Sequence, residues 1–230
     1  AVGGIAWGHD CLWIATQINV GEYYDNNDYA LRCRDIATGE VVQEFLFNHT
    51  YAEIRGIEYV NNSLWVNFSA SGASHMQQFD ATTGELLERR ASTEHGPSDL
   101  AFDGTFLLLA DIWNWYDKIN LATGAFEGGY DTPFEYSTLR GIAHRPGEVW
   151  LSGWIHNQLA VLDESGTQIG AADVSALRPT NYSNQERQLT FVNDRLAINV
   201  EGRIYLMDVV EIEPYEQSND GFALNDDFAR

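Results

Sequence analysis

Gly4-Ile5-Ala6-Trp7, a short turn, and then Leu12-Trp13-Ile14-Ala15: this opening phrase decides the fold, because the chain writes it five times. The first half returns as Gly56-Ile57-Glu58-Tyr59, Asp99-Leu100-Ala101-Phe102, Gly141-Ile142-Ala143-His144 and Gln188-Leu189-Thr190-Phe191. The second half returns as Leu64-Trp65-Val66-Asn67, Leu107-Leu108-Leu109-Ala110, Val149-Trp150-Leu151-Ser152 and Leu196-Ala197-Ile198-Asn199. Successive copies start 52, 43, 42 and 47 residues apart. A period of roughly 40–50 residues, made of short strands and turns, marks the blades of a propeller.

Each repeat continues in the same way. A third strand follows, as in Tyr29–Arg34, His75–Phe79, Lys118–Leu121 and Gln158–Leu162, and four of them run into a turn of one type. The turns are Asp35-Ile36-Ala37-Thr38-Gly39, Asp80-Ala81-Thr82-Thr83-Gly84, Asn120-Leu121-Ala122-Thr123-Gly124 and Asp163-Glu164-Ser165-Gly166. The leading Asp or Asn caps the turn with its side chain, and Gly takes the positive φ. Alternating apolar residues rich in β-branched and aromatic types favour strands, and no amphipathic helical stretch appears. The expected fold is all-β: a five-bladed β-propeller with four antiparallel strands per blade. One domain, residues 1–210, divides into blades at about 1–48, 49–92, 93–130, 131–174 and 175–210. The fifth repeat lacks the Asp-x-Thr-Gly turn, and the acidic tail 211–230 is left open as a source of its outer strand or a disordered end.

Charge narrows the partners. Thirty-four acidic residues against thirteen basic ones give a net charge of −21, and Lys118 is the only lysine. Such a field repels nucleic acid and anionic membranes, so neither is expected as a partner. No apolar run approaches the ~18 residues that a membrane-inserted helix needs. An acidic, lysine-poor surface suits a salty or extracellular setting. The start at Ala1, without Met, suggests processing, and a secreted, periplasmic or cell-surface location is expected. Cys11 and Cys33 are the only cysteines and fall near-symmetrically about a hairpin loop. They are expected as neighbours on paired strands; the reading leans to two reduced thiols, with a disulfide as the alternative.

Aligning the repeats turns scattered residues into a site. In a propeller the innermost strand begins, and the second strand ends, on one rim of the central channel. The residue just before each innermost phrase is Gly3, Arg55, Ser98, Arg140 or Arg187, so three arginines occupy one repeat position. Like charges gathered at one mouth cost free energy unless they are paired or hold an anion. Guanidinium forks match carboxylate and phosphate geometry. The same rim collects Tyr24, Asn67, Asp99, Asp111, Trp113, Trp154, Asn199 and Glu201. Aromatic faces with interleaved amides and hydroxyls suit a carbohydrate or a peptide. The alternative for the arginines is local pairing with Glu53, Asp99 or Glu186. No cofactor is expected; a divalent cation such as Ca²⁺ among the rim oxygens is the lesser alternative, opposed by the arginines.

The phrases Gly-Ile-Ala-Trp and Leu-Trp-Ile-Ala, followed by Asp-x-x-Thr-Gly-Glu-Val, resemble the propellers that include the five-bladed glutamine cyclotransferases. The resemblance covers about residues 1–175 in rhythm and is shared with lactonase-like and NHL/YVTN-type propellers. In the cyclotransferases the position before the innermost phrase carries Gln, Glu and Asn that handle a peptide's N-terminal glutamine. Here it holds Gly3, Arg55, Ser98, Arg140 and Arg187, so the cyclase residues are not retained. No Ser/His/Asp or Cys/His arrangement replaces them. The expected function is therefore a non-catalytic binding propeller for a small anionic, sugar or peptide ligand. The alternative is an enzyme of the diverged glutaminyl cyclase or lactonase/lyase-like type.

Overall fold

The computed structural model describes residues 2–19, 27–49, 52–70, 74–92, 96–134, 139–153, 158–177, 187–209 and 213–214. They form an all-β, five-bladed propeller of antiparallel blades. Blade 1 is β1 (Val2–Gly8), β2 (Cys11–Asn19), β3 (Asn27–Arg34) and β4 (Val41–His49). Blade 2 is β5 (Ala52–Val60), β6 (Ser63–Ala70), β7 (His75–Asp80) and β8 (Leu86–Ala91). Blade 3 is β9 (Pro97–Phe102), β10 (Phe106–Asp111), β11 (Trp115–Asn120) and β12 (Phe126–Asp131). Blade 4 is β13 (Leu139–Arg145), β14 (Glu148–Gly153), β15 (Gln158–Leu162) and β16 (Gln168–Asp173). In blade 5 the described strands are β17 (Leu189–Val192), β18 (Arg195–Val200) and β19 (Arg203–Asp208). From the tail, β20 (Glu213–Pro214) pairs with β16, the outer strand of blade 4, while residues 215–230 lie outside the described part.

The turns obey the chemistry read from the sequence. Asp35 Oδ1 accepts the amides of Ala37 and Thr38 at 2.9 and 2.7 Å, and Asp80 Oδ1 accepts those of Thr82 and Thr83, both at 2.8 Å. Asn120 does the same with its amide oxygen, and Gly39 and Gly84 close their turns at φ +73°. These bonds to the ionised form hold the Asp35 and Asp80 carboxyls below the usual range.

The core is divided into five parts, one per blade interface. Alternate residues of each innermost strand face opposite neighbours. Ile5 therefore packs with Val192 and Ala197 of blade 5, while Ala6 joins Ile57 and Leu64 of blade 2. The first of these contacts closes the ring. The innermost strands approach so closely that Gly3, Gly4, Gly56 and Gly141 cannot carry a side chain. A Cβ on Gly56 would lie 2.6 Å from the Asp99 Cα, and one on Gly141 would lie 2.0 Å from the Arg187 carbonyl oxygen.

The cysteines correct the expectation of reduced thiols: Cys11 and Cys33 form a disulfide, with Cα atoms 5.6 Å apart. The reason is register. Cys33 lies opposite Trp13, so Cys11, two residues away on the same face, is its diagonal neighbour. Both are buried in the interface between blades 1 and 2.

Candidate ligand site at the channel mouth

The repeat position that carries the arginines has a structural cause. Ile54 pairs with Phe68 and Gly56 with Asn67, so Arg55 is an extra residue with no partner position on β6. Arg140 is the extra residue between Leu139 and Gly141, and Ser98 lies between Pro97 and Asp99 in the same way. Gly3 completes the series in blade 1. Four innermost strands thus carry a β-bulge at one level. A bulge re-aims its side chain while the ladder continues on either side. Arg187 takes the equivalent place just ahead of β17, where Gln188 exchanges a backbone bond with Asn199.

The arginines differ in setting. Arg55 is half-buried and paired with Glu53 two residues before it, the local pairing that the sequence allowed. Arg140 is half-buried. Arg187 is 1% exposed, and burial lowers the pKa of its guanidinium from the ordinary value. Its carbonyl accepts the Ser152 hydroxyl at 2.7 Å, which ties blade 5 to blade 4.

One step below the bulges, Asp99 occupies the position that glycine fills in blades 1, 2 and 4. It is fully buried, and its Oδ2 accepts the amides of Ile142 at 3.2 Å and Leu189 at 3.3 Å. Those amides belong to the innermost strands of blades 4 and 5, so a single carboxyl from blade 3 reaches two other blades. Burial pushes the Asp99 carboxyl well above its usual range; the amide bonds oppose that, and the charge of nearby Glu58 adds to it. Glu58 stands on the face of β5 that carries Gly56 against blade 3. Burial raises its pKa to about 8, against a bond from the Tyr59 amide.

Asn67 and Asn199 stand near the ends of the second strands of blades 2 and 5 at one repeat position, opposite Gly56 and Gln188. Both are buried. The Asn67 oxygen accepts the Ser92 hydroxyl at 3.1 Å, and the Asn199 amide donates to Gln188 Oε1 at 2.5 Å. Asn67 Nδ2, Asp99 Oδ1 and Asn199 Oδ1 are buried without a hydrogen-bond partner, as is Oγ of the bulge residue Ser98.

The other expected residues separate. Asp111 is buried and accepts the Trp113 amide at 2.7 Å, but the Trp113 ring is 71% exposed. Glu201 is exposed in the turn after β18, at φ +52°. Tyr24 and Trp154 lie outside the described residues. Among the described residues, no group of three or more His, Cys, Asp or Glu gathers as metal ligands. No helix among them is long and apolar enough to cross a membrane. Two surface grooves lie away from the mouth, one on blade 1 beside Ile18 and Leu46, the other under blades 2 and 3 around Trp65 and Arg90.

Sequence reasoning passed over Glu58, although a signal was present: its repeat equivalents are Ala6, Ala101, Ala143 and Thr190. His49 and His75 also come together across the blade 1 and 2 interface. Their Nε2 atoms lie 2.7 Å apart, joining the outer strand of blade 1 to the third strand of blade 2.

No protein-family model matches the chain, and no curated protein matches it in sequence. Among solved structures, the glutaminyl cyclase of Myxococcus xanthus superposes with a TM-score of 0.67 at 14% identity, over 90% of this chain and 91% of that one. The computationally designed protein Ika4 gives 0.44 at 13% identity, over 69% of this chain and 94% of its own. The chain has the five-bladed propeller fold seen in that cyclase, at an identity that speaks for the fold alone.

Proposed function

We propose that the protein is a non-catalytic binding propeller whose mouth takes a small anionic ligand. The observation that carries this reading is the bulge level. Three of the twelve arginines of an acidic chain share one repeat position, which in blades 2 and 4 is a β-bulge that re-aims the side chain. Guanidinium groups on separate blades are drawn together by an anion and repel without one. Thermal-shift titration with citrate, sulfate and acidic oligosaccharides tests it, because a ligand that binds only the folded form raises the melting temperature. Arg140→Ala should weaken the responding anion by ~1.5–3 kcal/mol, and Arg140→Lys should restore only part of it, lacking the planar fork. If no anion shifts the melting temperature, the reading falls.

One observation favours an enzyme instead. Asp99 is a buried acid at the centre of the ring whose pKa burial raises well above the usual carboxylate range, the setting of many proton-transferring groups. An enzyme like the cyclase it superposes on would release ammonia from a peptide with N-terminal glutamine and lose that activity in Asp99→Asn. The binding reading expects no ammonia from either protein.

A further inference from the structure

Three Asn-x-Ser/Thr triplets begin at described residues, Asn48, Asn61 and Asn67, and the fold gives each a different setting. Asn67 is fully buried in β6 and its side-chain oxygen accepts the Ser92 hydroxyl, so a sugar on its nitrogen has no room. Asn48 is exposed on the outer strand of blade 1, but its nitrogen is tied to the Asp28 carboxylate. Asn61 is exposed in the tight turn between β5 and β6, where Val60 pairs with Ser63. It lines the open groove that runs beside Trp65 and Arg90. The turn accounts for Asn61 and Asn62, since both take the left-handed conformation, at φ +50° and +62°. It does not account for the hydroxyl of Ser63, whose repeat equivalents are Cys11, Phe106, Glu148 and Arg195.

We propose that Asn61 is the acceptor of an N-linked oligosaccharide. The Asn-x-Ser/Thr triplet is the acceptor pattern of that modification, and an exposed surface turn is the setting it needs. The donor class is a polyprenyl-diphosphate-linked oligosaccharide. A bond forms between Asn61 Nδ2 and the anomeric carbon of the first sugar. The bond from that carbon to the diphosphate breaks, and the diphosphate leaves with the electron pair and one amide proton. A separate observation points to the same compartment: the Cys11–Cys33 disulfide belongs to oxidising surroundings, which the secretory route supplies. The fold also keeps the modification clear of the mouth. Arg55 stands near the start of β5, on the mouth side, whereas Asn61 follows the last residue of that strand, at the opposite end of the channel.

Secretion of the full chain from yeast behind a cleavable signal tests this, with peptide N-glycosidase digestion in heavy-oxygen water turning every occupied Asn into labelled Asp. Mass spectrometry of the secreted protein should find most chains occupied at Asn61, fewer at Asn48 and none at Asn67. Asn61→Gln and Ser63→Ala should each remove one glycan and leave Asn48 occupancy unchanged. Ser63→Thr, which keeps the hydroxyl, should retain the glycan and so separates loss of the acceptor from a folding defect. Secreted chains with the mass of the bare polypeptide, or glycosylated only at other positions, overturn the proposal. Occupancy of Asn67 equal to that of Asn61 overturns it as well, because access would then not select the site. Applied to the protein from its natural source, the same digestion should again label Asn61; an unlabelled Asn61 there overturns the assignment for the natural protein.

Discussion

The interface between blades 1 and 2 and the one between blades 5 and 1 solve the same packing problem with very different means. The first buries fourteen residues, the disulfide among them, and threads them with stacked rings: Trp13 on Phe45 at 5.8 Å and Tyr29 on Phe47 at 5.4 Å. The second buries only Ile5, Leu12, Ile14, Val192 and Ala197, with Val2, Trp7, Ile204 and Leu206 half-covered around them. A propeller is bound together only when its last blade meets its first. Among the described residues the contact that closes the circle is the thinnest, so unfolding should start there and reach blades 1 and 2 last.

The largest test of that contrast is Trp13→Ala, which should lower unfolding free energy by ~3–5 kcal/mol in urea at neutral pH. A loss no greater than that of Ile14→Ala at the seam would erase the distinction. Removing the Cys11–Cys33 bond by paired Cys→Ser replacement should cost about 3 kcal/mol, as chain entropy gives for a loop of this size, whose cysteines are 22 residues apart. Hydrogen exchange should place that loss in blade 1 and leave the seam amides unchanged.

Glu58 tests an intermediate case, the interface of blades 2 and 3. Its folded pKa of about 8 lies above the ordinary 4.5, so between those values the native state holds the extra proton. Its stabilising share is complete below pH ~4.5 and declines as pH rises towards 8. Glu58→Gln should therefore gain roughly 2–4 kcal/mol on the natural protein between pH 5 and pH 9, read by calorimetry. Equal pH profiles would show that the acid is solvated. The smallest effect belongs to the seam: Ile14→Val should cost only about 1 kcal/mol, yet speed exchange of the β17 and β18 amides.

Much of this was legible in the chain. The repeated phrase gave five blades, and Asp35, Asp80 and Asn120 gave their turns, because both depend on local chemistry that a short stretch carries whole. The arginine position was visible too, but its cause was not: a bulge is a mismatch between two strands, and one strand cannot show it. The disulfide was missed for the same reason, since a diagonal pair depends on which residue faces Trp13. Glu58 and Asp99 are acids where other repeats have Ala, Thr, Gly or Gln, a signal that went unread for Glu58. Their raised pKa values needed the burial that only the closed ring supplies.

The bulges also bear on how such a molecule changes its mind about a ligand. Each blade contributes one surplus residue at one height, and together they spell Gly, Arg, Ser, Arg and Arg, with Arg187 taking the last place. Because the surplus residue has no cross-strand partner position, replacing it leaves every rung of the ladder where it was. At Arg55, Ser98 and Arg140 the mouth can therefore change its chemistry one letter at a time without moving the ladder, whereas Gly3, whose Cβ would lie 2.5 Å from the Ile54 carbonyl oxygen, and the buried Arg187 are fixed letters.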